Sequence, residues 1–163
     1  MLDDNLRHEQ LVGSADCIAA LGTICGIAKH SLSVFERDFV NIGFNNAARV
    51  EVLRGFLLAN PNNRLQILAQ DTLPMSQYCP RLMTLLRQFG HSMFIYQTPR
   101  TLQHLTAPFA VADAAHFVRR FHFDSKQGIL GSNDGESARL LGSRFLEMWS
   151  ASRPSAATST FTL

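Results

Sequence analysis

The run Phe109-Ala110-Val111-Ala112-Asp113 is followed by His116-Phe117-Val118-Arg119-Arg120-Phe121, by the turn Gly131-Ser132-Asn133, and by a stripe closing on Phe145-Leu146-Glu147-Met148-Trp149. The first two segments are short and joined only by Ala114-Ala115, which predicts an antiparallel hairpin at the edge of a sheet. A further strand or turn fits residues 128–130. Asn133 or Asp134 then caps a last helix, with Glu136 in its first turn and Ala138, Leu141, Phe145, Met148 and Trp149 on one face.

Upstream of this block the pattern changes style. From Ser14 as N-cap, with Asp16 in the first turn, Cys17, Ile18, Leu21, Ile24, Cys25 and Ala28 recur at helical spacing as far as Lys29. Residues 31–35 alternate and end in Glu36-Arg37-Asp38. Val50, Leu53, Phe56 and Leu57 make a second helix over 46–59, stopped by Asn60-Pro61. Residues 64–69 form a second strand ending in Gln70-Asp71, and a third helix fits 75–89 if Pro80 lies in its first turn. Residues 92–96 give a third strand, followed by Gln97 and Thr98. Strands alternating with helices predict right-handed crossovers and a largely parallel sheet with helices on both faces.

Length and composition bound the rest. With 163 residues, 46% hydrophobic and 17% charged, the chain suits a single domain over 14–150. Residues 1–13 read as a loose N-terminal arm or docking segment, and the Ser/Thr/Ala-rich end, 151–163, as a tail that is disordered or loosely docked. No apolar run reaches the ~20 residues of a membrane helix and the start is acidic, so a cytoplasmic protein is expected. Cys17, Cys25 and Cys79 form no Cys-x-x-Cys pair and read as buried thiols. Neither a metal nor a cofactor is expected, since there is no His pair at i, i+4 on a helix and no glycine-rich phosphate loop. A formal charge of +2 does not call for a nucleic-acid partner.

Taken from Ala19 to Trp149, this order resembles an uncharacterised bacterial family of single-half phospholipase D-like domains. The resemblance lies in the strand ends Val34-Phe35-Glu36-Arg37-Asp38, Leu65 to Asp71 and Phe109 to Asp113, together with the Gly-Ser turn. It implies an α/β phospholipase D-like half-domain with a mixed, mainly parallel sheet. Active members of that superfamily carry His-x-Lys-x4-Asp, whose His attacks phosphorus. With the motif's Asp placed on Asp113, Thr106 stands at the His and Pro108 at the Lys. Threonine is a poor nucleophile without an adjacent base, and proline carries no charge for a phosphate oxygen. The segment between Asp113 and Gly131 also exceeds the superfamily's spacing, and Asn133 follows Ser132 directly. Active relatives build one site from two halves, so the resemblance implies a homodimer. Some members look like companions of acetyltransferase-type domains, which implies a protein partner.

Three readings of the function follow. The first is a catalytically silent domain that binds a ligand or partner. Its candidate site residues are Glu36, Arg37, Asp38, Gln70, Asp71 and Asp113, gathered at strand carboxyl ends where ligands of open α/β sheets bind, with Arg119 and Asn133 from the C-terminal block. Each has a structural alternative: Arg37 pairs with Asp38 or Asp71, and Asp71 caps the turn into the next helix. The second is a phosphodiesterase with a relocated site, using His104 as nucleophile or Asp71 and Asp113 as acid and base; the alternative for His104 is an exposed loop histidine. The third is a nucleic-acid binder through Arg119, Arg120, Lys126 and the interleaved phenylalanines, set against an ordinary half-buried strand.

Overall fold

The computed structural model describes residues 5–158. Its elements run β1 (Arg7–Val12), α1 (Ser14–Ile27), β2 (Ser31–Glu36), α2 (Ala47–Ala59), β3 (Arg64–Ala69), α3 (Leu73–Tyr78), α4 (Pro80–Gln88), β4 (Met93–Gln97), a 3-10 turn (Arg100–Leu102), β5 (Phe109–Ala112), β6 (His116–Arg120), β7 (Gln127–Ser132), α5 (Gly135–Ala151) and β8 (Arg153–Pro154). The strands form one sheet in the order β1-β7-β6-β5-β2-β3-β4-β8.

Alternation along the strands sorts side chains to two faces. Leu32, Val34, Leu65, Ile67, Met93 and Ile95 bury against α1, α2, α3 and α4 in the larger core. Phe35, Leu68, Phe109, Val111 and Phe117 point the other way, onto Ala138, Leu141, Phe145 and Met148 of α5. Helices therefore cover both faces, and α5 is fixed further by Trp149, which stacks between Tyr96 and Phe145 at 3.9 and 5.6 Å.

The expectation of a mainly parallel sheet is overturned. Only β2–β3 and β3–β4 pair in parallel, whereas β1–β7, β7–β6, β6–β5, β5–β2 and β4–β8 are antiparallel. The reason lies in the connection after β4. It contains no crossover helix, only the 3-10 turn and an extended approach, so the chain stays at the edge where β4 ended. A parallel neighbour needs a crossover of a dozen residues or more, so β5 has to run back antiparallel.

Smaller expectations are refined as well. Of the two readings of the N-terminal segment, loose arm or docking segment, it is the second that fits: it contains β1, an edge strand held on β7 with Leu11 buried beneath it. Gly13, not Ser14, caps α1, and the expected third helix is two, with Cys79 between them and Pro80 opening α4. Of the two readings of the tail, disordered or loosely docked, the second fits its described part: Ser155 N–H donates to the Ile95 carbonyl at 3.1 Å, and the Ser155 and Thr72 hydroxyls lie 2.6 Å apart. Residues 159–163 of that tail lie outside the described residues. In the C-terminal block the hairpin, the strand through Gly128 and the Asp134 cap are found as expected. Gly128 and Gly131 are required by close packing of β7 on β6: a β-carbon would strike the Arg119 carbonyl at one and the Phe117 ring at the other.

Candidate functional site

Strand directions place the site. Because β5 runs against β2 and β6 runs against β5, the carboxyl ends of β2 and β6 meet at one edge of the sheet, on either side of the start of β5. A cleft of about 270 Å³ opens there, between α1, the turn after β2 and residues 121–126 after β6. Glu36, Arg37, Asp38, Pro108, Arg119 and Arg120 all line it.

At the floor, Arg120 Nη2 donates to Glu36 Oε1 at 2.7 Å, and both side chains are nearly buried. Burial drives the Glu36 carboxyl up from 4.5 to about 7, against the lowering effect of the Arg120 charge and hydrogen bond. Arg120 also donates through Nη1 to the carbonyls of Phe123 and Ser125, at 2.9 and 3.1 Å. One guanidinium thus ties the strap of residues 121–126 to the end of β2. The strap is further held by Phe123 N–H on the Thr106 carbonyl at 2.8 Å and by Gly13 N–H on the Lys126 carbonyl at 2.7 Å.

Nearer the solvent, Arg37 donates to Asp124 Oδ1 at 2.8 Å and lies over the Phe123 ring, 5.1 Å from its centroid. The expected pairing of Arg37 with Asp38 or Asp71 is therefore replaced by one with Asp124. Asp38 instead accepts from Val40 N–H at 3.1 Å, closing its own turn. The next residue, Phe39, is buried in the wall of the cleft with φ 67, a conformation bulky side chains rarely adopt. Such strain concentrates at functional sites.

The remaining expected residues lie elsewhere. Gln70 Nε2 holds the approach to β5 through the carbonyls of Gln103 and Leu105, at 3.3 and 2.8 Å, and Asp71 Oδ1 accepts from Leu73 N–H at 3.1 Å at the start of α3. His104 is exposed on that approach and is not part of the cleft wall. Asp113 and Asn133 sit at the opposite edge of the sheet. Asp113 accepts from the backbone N–H groups of Lys29, His30 and Ser31 at 2.9, 2.7 and 3.0 Å. Asn133 donates to His116 Nδ1 from its backbone and to the Asn5 carbonyl from its side chain, at 3.1 and 3.2 Å. The carboxylates of Asp71 and Asp113 are separated by the length of a strand, about 17 Å, so they cannot serve one reaction as acid and base.

Sequence reasoning had Arg120 only as part of a basic ribbon and missed Asp124 and Phe39 altogether. A signal for Arg120 was present: at period two it shares a face with Val118, which is buried against the larger core. Among the described residues no histidine lines the cleft, and no cluster of three or more His, Cys, Asp or Glu is placed to hold a metal ion. No helix among them is long and apolar enough to cross a membrane.

This mixed sheet between helices is similar in fold to solved structures that include a phospholipase D family member. The phospholipase D family member Nuc from Salmonella typhimurium superimposes with a TM-score of 0.69 at 12% identity, over 93% of this chain and 99% of that one. TrmBL2, an archaeal chromatin protein whose structure shows a novel mode of DNA binding, gives 0.70 at 9% identity, over 95% of this chain and 57% of that one. Phosphatidylserine synthase of Haemophilus influenzae Rd KW20 gives 0.62 at 9% identity, with 99% and 43% covered. The chain therefore spans about half the length of the last two. It belongs to the family described as Domain of unknown function (DUF7931), whose model matches residues 13–161. No curated protein matches it in sequence.

Proposed function

We propose that this chain is a phospholipase D-like domain that has given up phosphodiester cleavage and works by holding a phosphate-bearing anion in its cleft, as a regulatory or partner-recognition module. The observation that carries this reading is the make-up of the cleft: exposed Arg37, Arg119 and Lys126 around a buried Glu36–Arg120 pair, without a histidine. Cations at the mouth attract and hold an anion, and the nearest histidine, His122 on the strap, does not line the cleft: its Nδ1 accepts from Asp124 N–H at 3.0 Å and lies 3.6 Å from Asp124 Oδ2. Thr106 and Pro108, which stand where the superfamily's His and Lys would, contribute their backbone carbonyls to Phe123 and Arg120 N–H groups instead. We also carry forward the homodimer as part of this reading.

Purified protein is expected to release no product above background from bis(4-nitrophenyl) phosphate or from DNA, while binding inorganic phosphate in a manner weakened by Arg37→Ala. Turnover that Arg37→Ala or Lys126→Ala abolishes would overturn the reading.

A second reading, binding of single-stranded nucleic acid, is favoured by one specific observation. Phe121 is 54% exposed beside the cleft, with the Arg119 guanidinium 5.8 Å from its ring centroid. An exposed ring next to cations can stack a base and neutralise its phosphate. On this reading the affinity for a 30-nucleotide strand falls with salt by about 0.7 log units per log unit of salt for each phosphate neutralised, and Phe121→Ala weakens it. Binding that ignores both salt and Phe121→Ala rejects it.

A further inference from the structure

The cleft is divided by depth. Its exposed residues are polar or charged: Arg37, Arg119, Asp124 and Lys126, with Ser14 and Asn41. Its deeper wall is apolar, with Leu21, Phe39 and Val118 buried and Ile18 and Ile42 half-buried, and at the floor Arg120 is already taken up by Glu36. A volume of about 270 Å³ falls at the small end of ligand pockets, whose usual range starts at roughly 300 Å³. The position an incoming anion would take on Arg37 is already held by the chain's own Asp124, whose side chain is 70% exposed. Exposed ion pairs of this kind are weakly held, so a dianion can replace the carboxylate.

We infer that the cleft takes a small phosphate monoester or phosphonate with an apolar body, the body lying against Ile18 and Ile42 and the head displacing Asp124 from Arg37. This rests on the anion-binding reading above and adds to it the class of ligand and the residue that competes with it. Since Asp124 stands on the strap, displacement also releases the outer fastening of residues 121–126, while the buried Arg120 bonds keep the strap's inner end in place.

Isothermal titration of the full chain with inorganic phosphate and with phenylphosphonate tests this. Phenylphosphonate is expected to bind about tenfold tighter than phosphate, the effect of burying part of an aromatic ring. Ile18→Ser and Ile42→Ser, both at half-buried positions, should each reduce that ratio toward one and leave phosphate affinity in place. Asp124→Asn should tighten both anions by up to about fivefold, by removing the internal competitor. Phosphate binding with no preference for phenylphosphonate overturns the inference while the anion-binding reading stands; failure of both anions to bind overturns both. Unchanged or weaker binding by Asp124→Asn removes the displacement step.

Discussion

Replacing Arg120 with leucine is expected to destabilise the protein by about 3–5 kcal/mol at pH 8, the usual loss when one partner of a buried ion pair is removed, and by much less at pH 5. The leucine leaves Glu36 in a site where burial has already raised its carboxyl to about 7 against the lowering influence of Arg120. Without that guanidinium the carboxyl rises further, so at pH 8 the folded chain holds either an unpaired buried carboxylate or a proton taken up against the solution pH. The strap also loses two donors, since the Phe123 and Ser125 carbonyls accept from Arg120 Nη1. This second loss is independent of pH and persists at pH 5, at about 1–2 kcal/mol.

The sign of the pH dependence follows from the direction of the Glu36 shift. A carboxyl whose folded value lies above its unfolded 4.5 binds its proton more tightly in the folded state. Its contribution to stability is fully present below 4.5 and is lost as the pH rises through about 7. In the wild type this makes stability fall across that window; in Arg120→Leu the fall continues to higher pH. Urea titrations at pH 5 and pH 8 measure the difference, and the double variant Glu36→Leu/Arg120→Leu should recover much of the pH 8 loss, because buried pairs are often replaceable by apolar residues. An equal loss at both pH values, with no recovery in the double variant, would show that Arg120 acts only through the strap.

What the sequence revealed and what it hid follow one physical division. Periodic apolar patterns report local structure, so the alternation through Leu32 and Val34 and the stripe Ala138, Leu141, Phe145, Met148 located a strand and the last helix; that they fill cores on opposite faces of the sheet is a tertiary fact the structure adds. The direction of β5 is not a local property. It was set by the absence of a crossover helix between β4 and Phe109, a feature readable in residues 98–108 only once a helix there had been excluded. β1 was hidden for a different reason. Edge strands are commonly polar, and Arg-His-Glu-Gln offers no apolar alternation; it is held by the ladder to β7, by Leu11 and by His8 on Asp134 at 2.7 Å.

The same division explains the site. That Glu36, Arg37 and Asp38 lie together at the carboxyl end of a strand was legible from the strand pattern, and Arg119 only as part of a basic ribbon; all four line the cleft. Asp124 was not legible, since it sits on a strap whose course depends on Arg120. Asp113 was misplaced because the strand carrying it runs the other way.

Asp113 accordingly supplies the second large effect. Asp113→Ala is expected to lower stability by about 3 kcal/mol, because it removes the charge-assisted hydrogen bonds to three backbone donors and the short polar side chain that makes a left-handed conformation tolerable for aspartate. Its carboxylate gathers the N–H groups of Lys29, His30 and Ser31 at the entrance to β2, satisfying three donors between α1 and the sheet. Its backbone, at φ 58 with Ala114 at φ 51, forms the tight turn of the β5–β6 hairpin, closed by Ala115 N–H on the Ala112 carbonyl at 3.0 Å. Two successive left-handed residues are the geometry of a type I′ turn, in which asparagine is favoured. Asp113→Asn therefore keeps the turn and one acceptor oxygen, and should lose only about 1 kcal/mol. Because the cleft lies at the far edge of the sheet, the folded Asn variant should bind anions as the wild type does. If Asp113→Asn remained fully stable and lost anion binding, this carboxylate would belong to the site after all, and the assignment of the cleft to the carboxyl ends of β2 and β6 would have to be abandoned.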